Sequence, residues 1–336
     1  MERYKNDGHD RIGRRLPVGE ERTPRRANGE PDFTGPFPLN VVCILHGGHP
    51  VRHWLADVAA SGSLDLTLND PLLYPYHDVP ATSSITRNPD AKGFAENVNS
   101  AIERIFKRES AEIACVVNFD LEMAVDTLHN LVATLIAHPE LSAVGAVLRD
   151  PGGAAIFSVG TWPTPLKEFL RASGLRSKRL MALQRWILRH SGRWSARNTG
   201  PQTEYRTLGP QEYLPWTCIA LRRSAWTSVG ALDERYPLYA EDIDWGMRCH
   251  RSRQKMAVRD CGTVIHFERA TRGPRADSMY EISHLELHRK WGWELCLRWQ
   301  LRGLALRRRW PLRRLTVPLE WSLFPSFEGS NPPGQL

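Results

Sequence analysis

Between Asn40 and Gly153, short apolar runs alternate with segments that are apolar at every third or fourth position. No other feature limits the fold as tightly. "LNVVCILHGG", closed by Gly47 and Gly48, reads as a buried strand with a loop at its carboxyl end. "WLADVAASG" reads as a helix, and "LDLTLNDP" as a second strand that stops at Asn69-Asp70-Pro71. In "GFAENVNSAIERIF", Phe94, Val98, Ile102, Ile105 and Phe106 recur at helical spacing, and "AEIACVVNFD" is again a buried strand with a polar end. Leu128, Leu131, Val132, Leu135 and Ile136 stripe the next helix, which Pro139 follows. "SAVGAVLRDPGG" is a further strand and turn. Strands alternating with helices imply a mostly parallel, Rossmann-like α/β sheet flanked by helices. Ligands bind such sheets at the carboxyl ends of the strands, where His46, Asn69-Asp70 and Asn118-Phe119-Asp120 fall.

The rest of the 336 residues surrounds that core. Residues 1–38 are rich in Arg, Glu, Gly and Pro without apolar periodicity, and are expected to be a disordered tail. Residues 39–280 are expected to form the α/β domain, interrupted over about 161–211 by a basic, partly amphipathic helical insertion. Residues 281–325 read as a Trp- and Arg-rich helical extension, and 326–336 as a flexible tail. The net charge of +8 points to an anionic partner. Six scattered cysteines, without a CxxC pair or a close Cys/His cluster, argue against a disulfide framework or a structural zinc site. The N-terminus has no apolar core of a secretory signal, and no apolar run approaches the ~18 residues a membrane span needs. A cytoplasmic location is the expectation.

Three places carry possible chemistry. Asp120 ends a buried strand in a carboxylate; it either caps the following turn or ligates a hard cation such as Mg²⁺ or Mn²⁺ together with substrate phosphates. Glu241, Asp242 and Asp244 open an amphipathic segment. There they complement a helix dipole, or one of them serves as a general base. His266 follows the apolar run Thr263-Val264-Ile265, as a satisfied edge histidine or as a metal ligand beside Asp120.

The order and spacing of these places resemble the family 2 glycosyltransferases, inverting enzymes of the GT-A fold, and among them the bacterial rhamnosyltransferase-like group. "RNPDAKGFAENVNSAI" is similar to that group's Asn-Pro-x-Asn-x-Gly-Phe-Ala-x-x-x-Asn segment, and "VVNFDLEM" to its Leu-Asn-Pro-Asp metal loop. "LRRSAWTSVGALDERYPLYAEDIDWGMRCHRS" resembles its Arg-Arg … Glu-Asp-x-Asp segment, and "TVIHF" the strand that delivers its histidine. The resemblance runs from about Asn40 to about Lys290, apart from the insertion. It implies that Asp242, with Glu241 beside it, is the catalytic base, and that Asp120 and His266 hold a divalent cation, Mg²⁺ or Mn²⁺. It places His46, Asn69, Asp70, Asn88, Gly93 and Asn118 with the nucleotide donor, and Trp216 and Thr217 on the acceptor side. The chain departs from the pattern at Asn118-Phe119-Asp120, which lacks the first carboxylate of an Asp-x-Asp motif, and at "LHGGHP" in the first loop.

The expected activity is therefore an inverting transfer of a sugar, rhamnose by resemblance, from a dTDP- or UDP-linked donor to a saccharide acceptor. The acceptor is expected to be lipid- or polymer-linked and to belong to cell-envelope polysaccharide synthesis. The alternative is a non-catalytic GT-A-like protein that binds nucleotide sugar or glycan. Trp291, Trp293, Trp299 and Trp310 interleave with Arg298, Arg302 and Arg307–Arg309, which suggests a peripheral seat on an anionic membrane. No nucleic-acid-binding motif accompanies the positive charge.

Overall fold

The computed structural model describes residues 39–45, 52–69, 79–80, 84–90, 92–156, 158–175, 205–267 and 274–309. His46, Asp70 and Trp310 lie outside them, as do both expected tails and the middle of the basic insertion.

The described strands are β1 (Leu39–Leu45), β2 (Gly62–Asn69), β3 (Ser84–Asn88), β4 (Ile113–Asn118), β5 (Leu121–Glu122) and β6 (Leu141–Ala146), then β7 (Gly160–Thr161), β8 (Tyr205–Thr207), β9 (Glu212–Tyr213), β10 (Cys218–Arg222), β11 (Lys255–Arg259) and β12 (Ile265–His266). The helices are α1 (Trp54–Ser61), α2 (Phe94–Phe106), α3 (Asp126–Ala137) and α4 (Pro165–Ala172), then α5 (Arg223–Val229), α6 (Glu241–Arg251), α7 (Pro274–Lys290) and α8 (Glu294–Arg309). Eight strands make one sheet in the order β3-β2-β1-β4-β10-β6-β11-β8. The pairs β1–β2, β1–β4, β2–β3 and β6–β11 are parallel, whereas β10 runs antiparallel to both neighbours and β8 antiparallel to β11. The expected mostly parallel sheet flanked by helices is therefore present, with β10 and the edge strand β8 reversed.

Side-chain alternation explains why both faces are covered. Val41, Cys43 and Leu45 of β1 enter one apolar cluster with Trp54, Leu55 and Val58 of α1 and Leu128, Leu131 and Leu135 of α3. Val42 and Ile44 enter the opposite cluster with Val98, Ile102 and Ile105 of α2 and Trp245 and Cys249 of α6. All six cysteines are buried free thiols, consistent with the absence of a disulfide framework.

The described start of the insertion is α4, which crosses α8 at close range. A Cβ on Gly303 would lie 2.7 Å from the carbonyl oxygen of Phe169 and 2.9 Å from the Ala172 Cβ. Helix α7 begins at Pro274 and runs through the expected boundary at 280. The three described tryptophans of the set that suggested a membrane face turn inward instead. Trp291 donates its indole N–H to Asp244 at 2.8 Å, Trp293 packs against Trp162 and His288, and Trp299 meets Phe169 edge-on. They pack because α7 and α8 have apolar partners in α4 and α6.

Candidate functional site

Register fixes which residues share the carboxyl edge of the sheet. Ile44 pairs with Asn118, Leu45 with Leu68, and Asn69 with Asn88. Because β10 is antiparallel, its first residue, Cys218, pairs with Val117, and Thr217 lies at the same edge, its carbonyl accepting the Asn118 N–H at 2.8 Å. Asn69, Asn88, Asn118 and Thr217 are thus brought to one edge.

Beyond β4 the chain turns through buried Phe119 and Asp120 into β5, which pairs antiparallel with β12, setting His266 opposite Leu121. That ladder joins residues far apart in sequence. His266 Nε2 lies 3.2 Å from Asp120 Oδ2, the Phe267 N–H donates to the Asp120 carbonyl at 3.0 Å, and the His266 N–H to that of Arg149 at 2.9 Å. Asp120 Oδ1 is buried and has no hydrogen-bond partner among the described residues. An orphaned carboxylate oxygen beside an imidazole fits a divalent cation that takes its remaining ligands from phosphate and water. Imidazole in the set favours Mn²⁺ over Mg²⁺.

Asn69 and Asn88 have local tasks. The Asn69 amide group donates to the Lys92 carbonyl at 3.1 Å and its oxygen accepts the Lys92 N–H at 3.0 Å; Asn88 donates to Asn97 at 2.5 Å. Together they fix the segment that leads into Gly93. A Cβ on Gly93 would sit 3.4 Å from the Pro237 carbonyl oxygen, so this segment abuts the chain leading into α6. Asn99 strengthens the same junction, donating to the Leu232 carbonyl at 2.9 Å and accepting the Leu232 N–H at 2.9 Å. The Asn-Pro … Asn segment therefore connects the β2 edge to the acidic helix.

Helix α6 starts from a constrained entry. Tyr239 and Ala240 adopt left-handed φ values of 68° and 70°, each costing on the order of 1–3 kcal/mol for a non-glycine residue. The Tyr239 ring packs on Tyr280 with centroids 5.1 Å apart, one of the contacts that hold this turn. The turn delivers Glu241, Asp242 and Asp244 into the first turn of the helix, where their fates differ. Asp244 is fully buried and accepts from Arg248 at 2.9 Å, Trp291 at 2.8 Å, Tyr236 at 3.3 Å and Lys290 at 2.7 Å. It anchors α6 to α7. Asp242 is half-buried and accepts the Ile243 N–H at 2.7 Å. Burial pushes its carboxyl up to about 7. Burial, and then the charge of Asp242, raise Glu241 well above the usual carboxylate range, and Glu241 Oε2 is buried without a hydrogen-bond partner among the described residues. When one of this pair ionises the other stays protonated, which suits proton acceptance near neutrality.

Trp216 is placed differently from its neighbour Thr217. Its ring is buried among Trp226 and Trp245, at 6.3 and 5.1 Å between centroids, so its side chain belongs to the core beneath the edge. Sequence reasoning missed Tyr213 and Tyr280. Tyr213 is buried and Tyr280 half-buried, and burial followed by charges that include Asp242 raises the phenol of Tyr213 well above its usual value. Two glycines signalled Tyr213, since a Cβ on Gly160 or Gly246 would lie 2.1 or 2.5 Å from its side chain.

No model of a known protein family matches the chain. Over 200 residues it is 28% identical to N-acetylglucosaminyl-diphospho-decaprenol L-rhamnosyltransferase of Mycobacterium tuberculosis, in strain H37Rv and in strain CDC 1551; the match covers 57% of this chain and 61% of those relatives. In sequence the chain is thus rhamnosyltransferase-like over more than half its length, and it spans about three fifths of the curated relatives it matches. Among solved structures, GalNAc-T7 with UDP, GalNAc and Mn²⁺ is similar at a TM-score of 0.46 and 12% identity, over 81% of this chain and 54% of that one. A mycobacterial protein is similar at a TM-score of 0.43 and 17% identity, over 75% of this chain and 74% of the other.

Proposed function

We propose that this chain is an inverting GT-A glycosyltransferase that moves a sugar, rhamnose foremost, from a nucleoside-diphosphate donor to a lipid-linked saccharide. The observation that carries the reading is the pairing of β5 with β12, which sets His266 on Asp120 at the sheet edge that Asn118, Asn69 and Thr217 share. The relative's acceptor, an N-acetylglucosaminyl diphosphate on decaprenol, supports a prenyl-diphosphate acceptor for this chain.

Asp120 and His266 would hold a divalent cation, which when bound supplies positive charge to the diphosphate as its bond to the sugar breaks. The chain's own residues do the rest. Asp242, ionised, accepts the proton of the acceptor hydroxyl while that oxygen attacks the anomeric carbon from the side opposite the diphosphate. Glu241 remains the protonated partner, and the left-handed turn at Tyr239-Ala240 aims both carboxyls. Asn69 and Asn88 order the donor edge through Lys92.

The large apolar side chains exposed among the described residues are Leu166, Leu175, Leu295 and Leu301, all on or beside α4 and α8, where Arg298, Arg302 and Arg308 are also exposed or partly exposed. This face we assign to an anionic membrane carrying the acceptor. Among the described residues, no helix is long and apolar enough to cross one.

The test is transfer in anionic vesicles that contain a prenyl-diphosphate-linked N-acetylglucosamine, with dTDP- and UDP-sugars and Mn²⁺. The expected result is a lipid one deoxyhexose heavier and protein that pellets with the vesicles. Binding of a nucleotide sugar without transfer to any acceptor would favour the non-catalytic reading, which the missing first carboxylate at Asn118 motivates. Transfer without pelleting would remove only the membrane face.

A further inference from the structure

Away from the sheet edge, one buried polar cluster has no part in the proposed reaction. Helix α4 presents Glu168, and α7 presents His284 and His288, four residues apart and hence on one face. The three are 3%, 3% and 1% exposed. Glu168 Oε2 lies 3.2 Å from His284 Nδ1 and 3.1 Å from His288 Nε2, and the three ligand atoms are all within 4.8 Å of one another. Ligands about 2.0–2.1 Å from a tetrahedral ion stand about 3.3–3.4 Å apart, close to both Glu–His separations.

Hydrogen bonding alone serves this cluster poorly. Arg171 Nη2 also reaches Glu168 Oε2, at 2.5 Å, so three N–H donors converge on one oxygen that has two lone pairs. The remaining ring nitrogens, His284 Nε2 and His288 Nδ1, are buried without hydrogen-bond partners among the described residues. Charge is also unbalanced. Arg171 Nη1 lies 2.6 Å from Glu281, so two carboxylates face one guanidinium, and with neutral imidazoles the cluster carries one net negative charge in a mostly buried setting. An uncompensated charge there is costly.

We propose that Glu168, His284 and His288 bind one zinc-class divalent ion that clasps α4 to α7. Two imidazoles and a carboxylate select Zn²⁺ and its neighbours over Mg²⁺ or Ca²⁺. With the ion bound, the two ring nitrogens that now donate to one oxygen present lone pairs to the ion instead, their protons moving to the outer nitrogens, and the ion supplies the missing positive charge. Coordination has to exceed the cost of turning the outer ring nitrogens into buried donors. The clasp stands behind Tyr280, which stacks on His284 with centroids 4.4 Å apart and packs at a tilt against Tyr239 at the entry to α6. It would thereby stiffen the turn that carries Glu241 and Asp242.

The experiment uses the untagged full chain, stripped with chelator and titrated with Co²⁺. The expected result is one equivalent of tightly bound Co²⁺ with the strong visible absorption of four-coordinate cobalt, displaced by Zn²⁺, and a higher Tm with either ion. Replacing either histidine, His284→Ala or His288→Ala, is expected to weaken binding by at least about 100-fold, since lost outer-sphere contacts alone cost about 10- to 100-fold. The variant His266→Ala keeps the spectrum, which separates this site from the sheet edge. No absorption and no change in Tm for the wild-type chain in excess Co²⁺ or Zn²⁺ would overturn the proposal. So would a spectrum that survives His284→Ala but is lost in His266→Ala. The wild-type measurement decides even if a variant fails to fold.

Discussion

Asp242→Asn is expected to lower turnover by roughly 10²- to 10⁴-fold while donor affinity stays nearly unchanged, the loss expected for a general base. That corresponds to about 3–5 kcal/mol of transition-state stabilisation. The substitution is nearly isosteric, and its amide oxygen can still accept the Ile243 N–H that Asp242 holds at 2.7 Å. The helix start is therefore preserved, and the deficit reports chemistry. The wild-type pH profile carries the same claim. Burial raises the Asp242 carboxyl to about 7, and the base works only when ionised. Turnover should therefore rise with pH through about 7 and fall away in mild acid. The apparent value belongs to the Glu241–Asp242 pair, because their titrations are linked. In the Asn variant that acidic limb disappears. Unchanged turnover, or a limb that survives the substitution, removes Asp242 from the role.

Asp244→Ala is expected to cost stability, by about 3–5 kcal/mol, as removing one partner of a buried ion pair does. Asp244 is fully buried, and its two oxygens serve Arg248, Lys290, Trp291 and Tyr236. Truncation strands two cations that are only 21% and 24% exposed, together with an indole N–H. For a chain of this size the Tm should drop on the order of 10 °C. A thermal melt reads it directly. A loss below about 1 kcal/mol would mean that Arg248 and Lys290 reach water without rearrangement, and that Asp244 does not anchor α6 to α7.

These two neighbours show how far sequence reasoning reaches. The acidic cluster was legible, but the division of labour within it was not. Asp244 faces Lys290 and Trp291 across 46 and 47 residues, and Asp242 does not. Strands and helices with strong periodicity, from β1 to α3, were readable because burial on a face dictates residue type at fixed spacing. Strand β3, "SITRN", escaped notice because it is a polar edge strand with exposed and half-buried side chains. The reversal of β10 leaves no local trace, since an apolar run reads the same in either direction.

Asp120 and His266 were paired by ligand chemistry and by resemblance, not by any local pattern. What joins them is a two-residue ladder, too short to read from pattern. Thr217 lies at the sheet edge, whereas the Trp216 ring lies in the core, since an aromatic residue beside a strand end looks the same in sequence whether it faces substrate or core. The Glu168 cluster left one signal, "HLELH", two histidines four apart. Its third member lies in the segment read only as a basic insertion, so nothing in the sequence joined them.

The central claim is that the Asp120–His266 corner is where a nucleotide sugar binds with its cation. Calorimetric titration of dTDP- and UDP-sugars, with and without Mn²⁺, into wild type and Asp120→Ala tests it most directly. The account predicts Mn²⁺-dependent binding of one donor class to the wild type, weakened by at least about tenfold in Asp120→Ala, a change of about 1.4 kcal/mol. Equal affinity in both proteins, with an unaltered response to Mn²⁺, would contradict it.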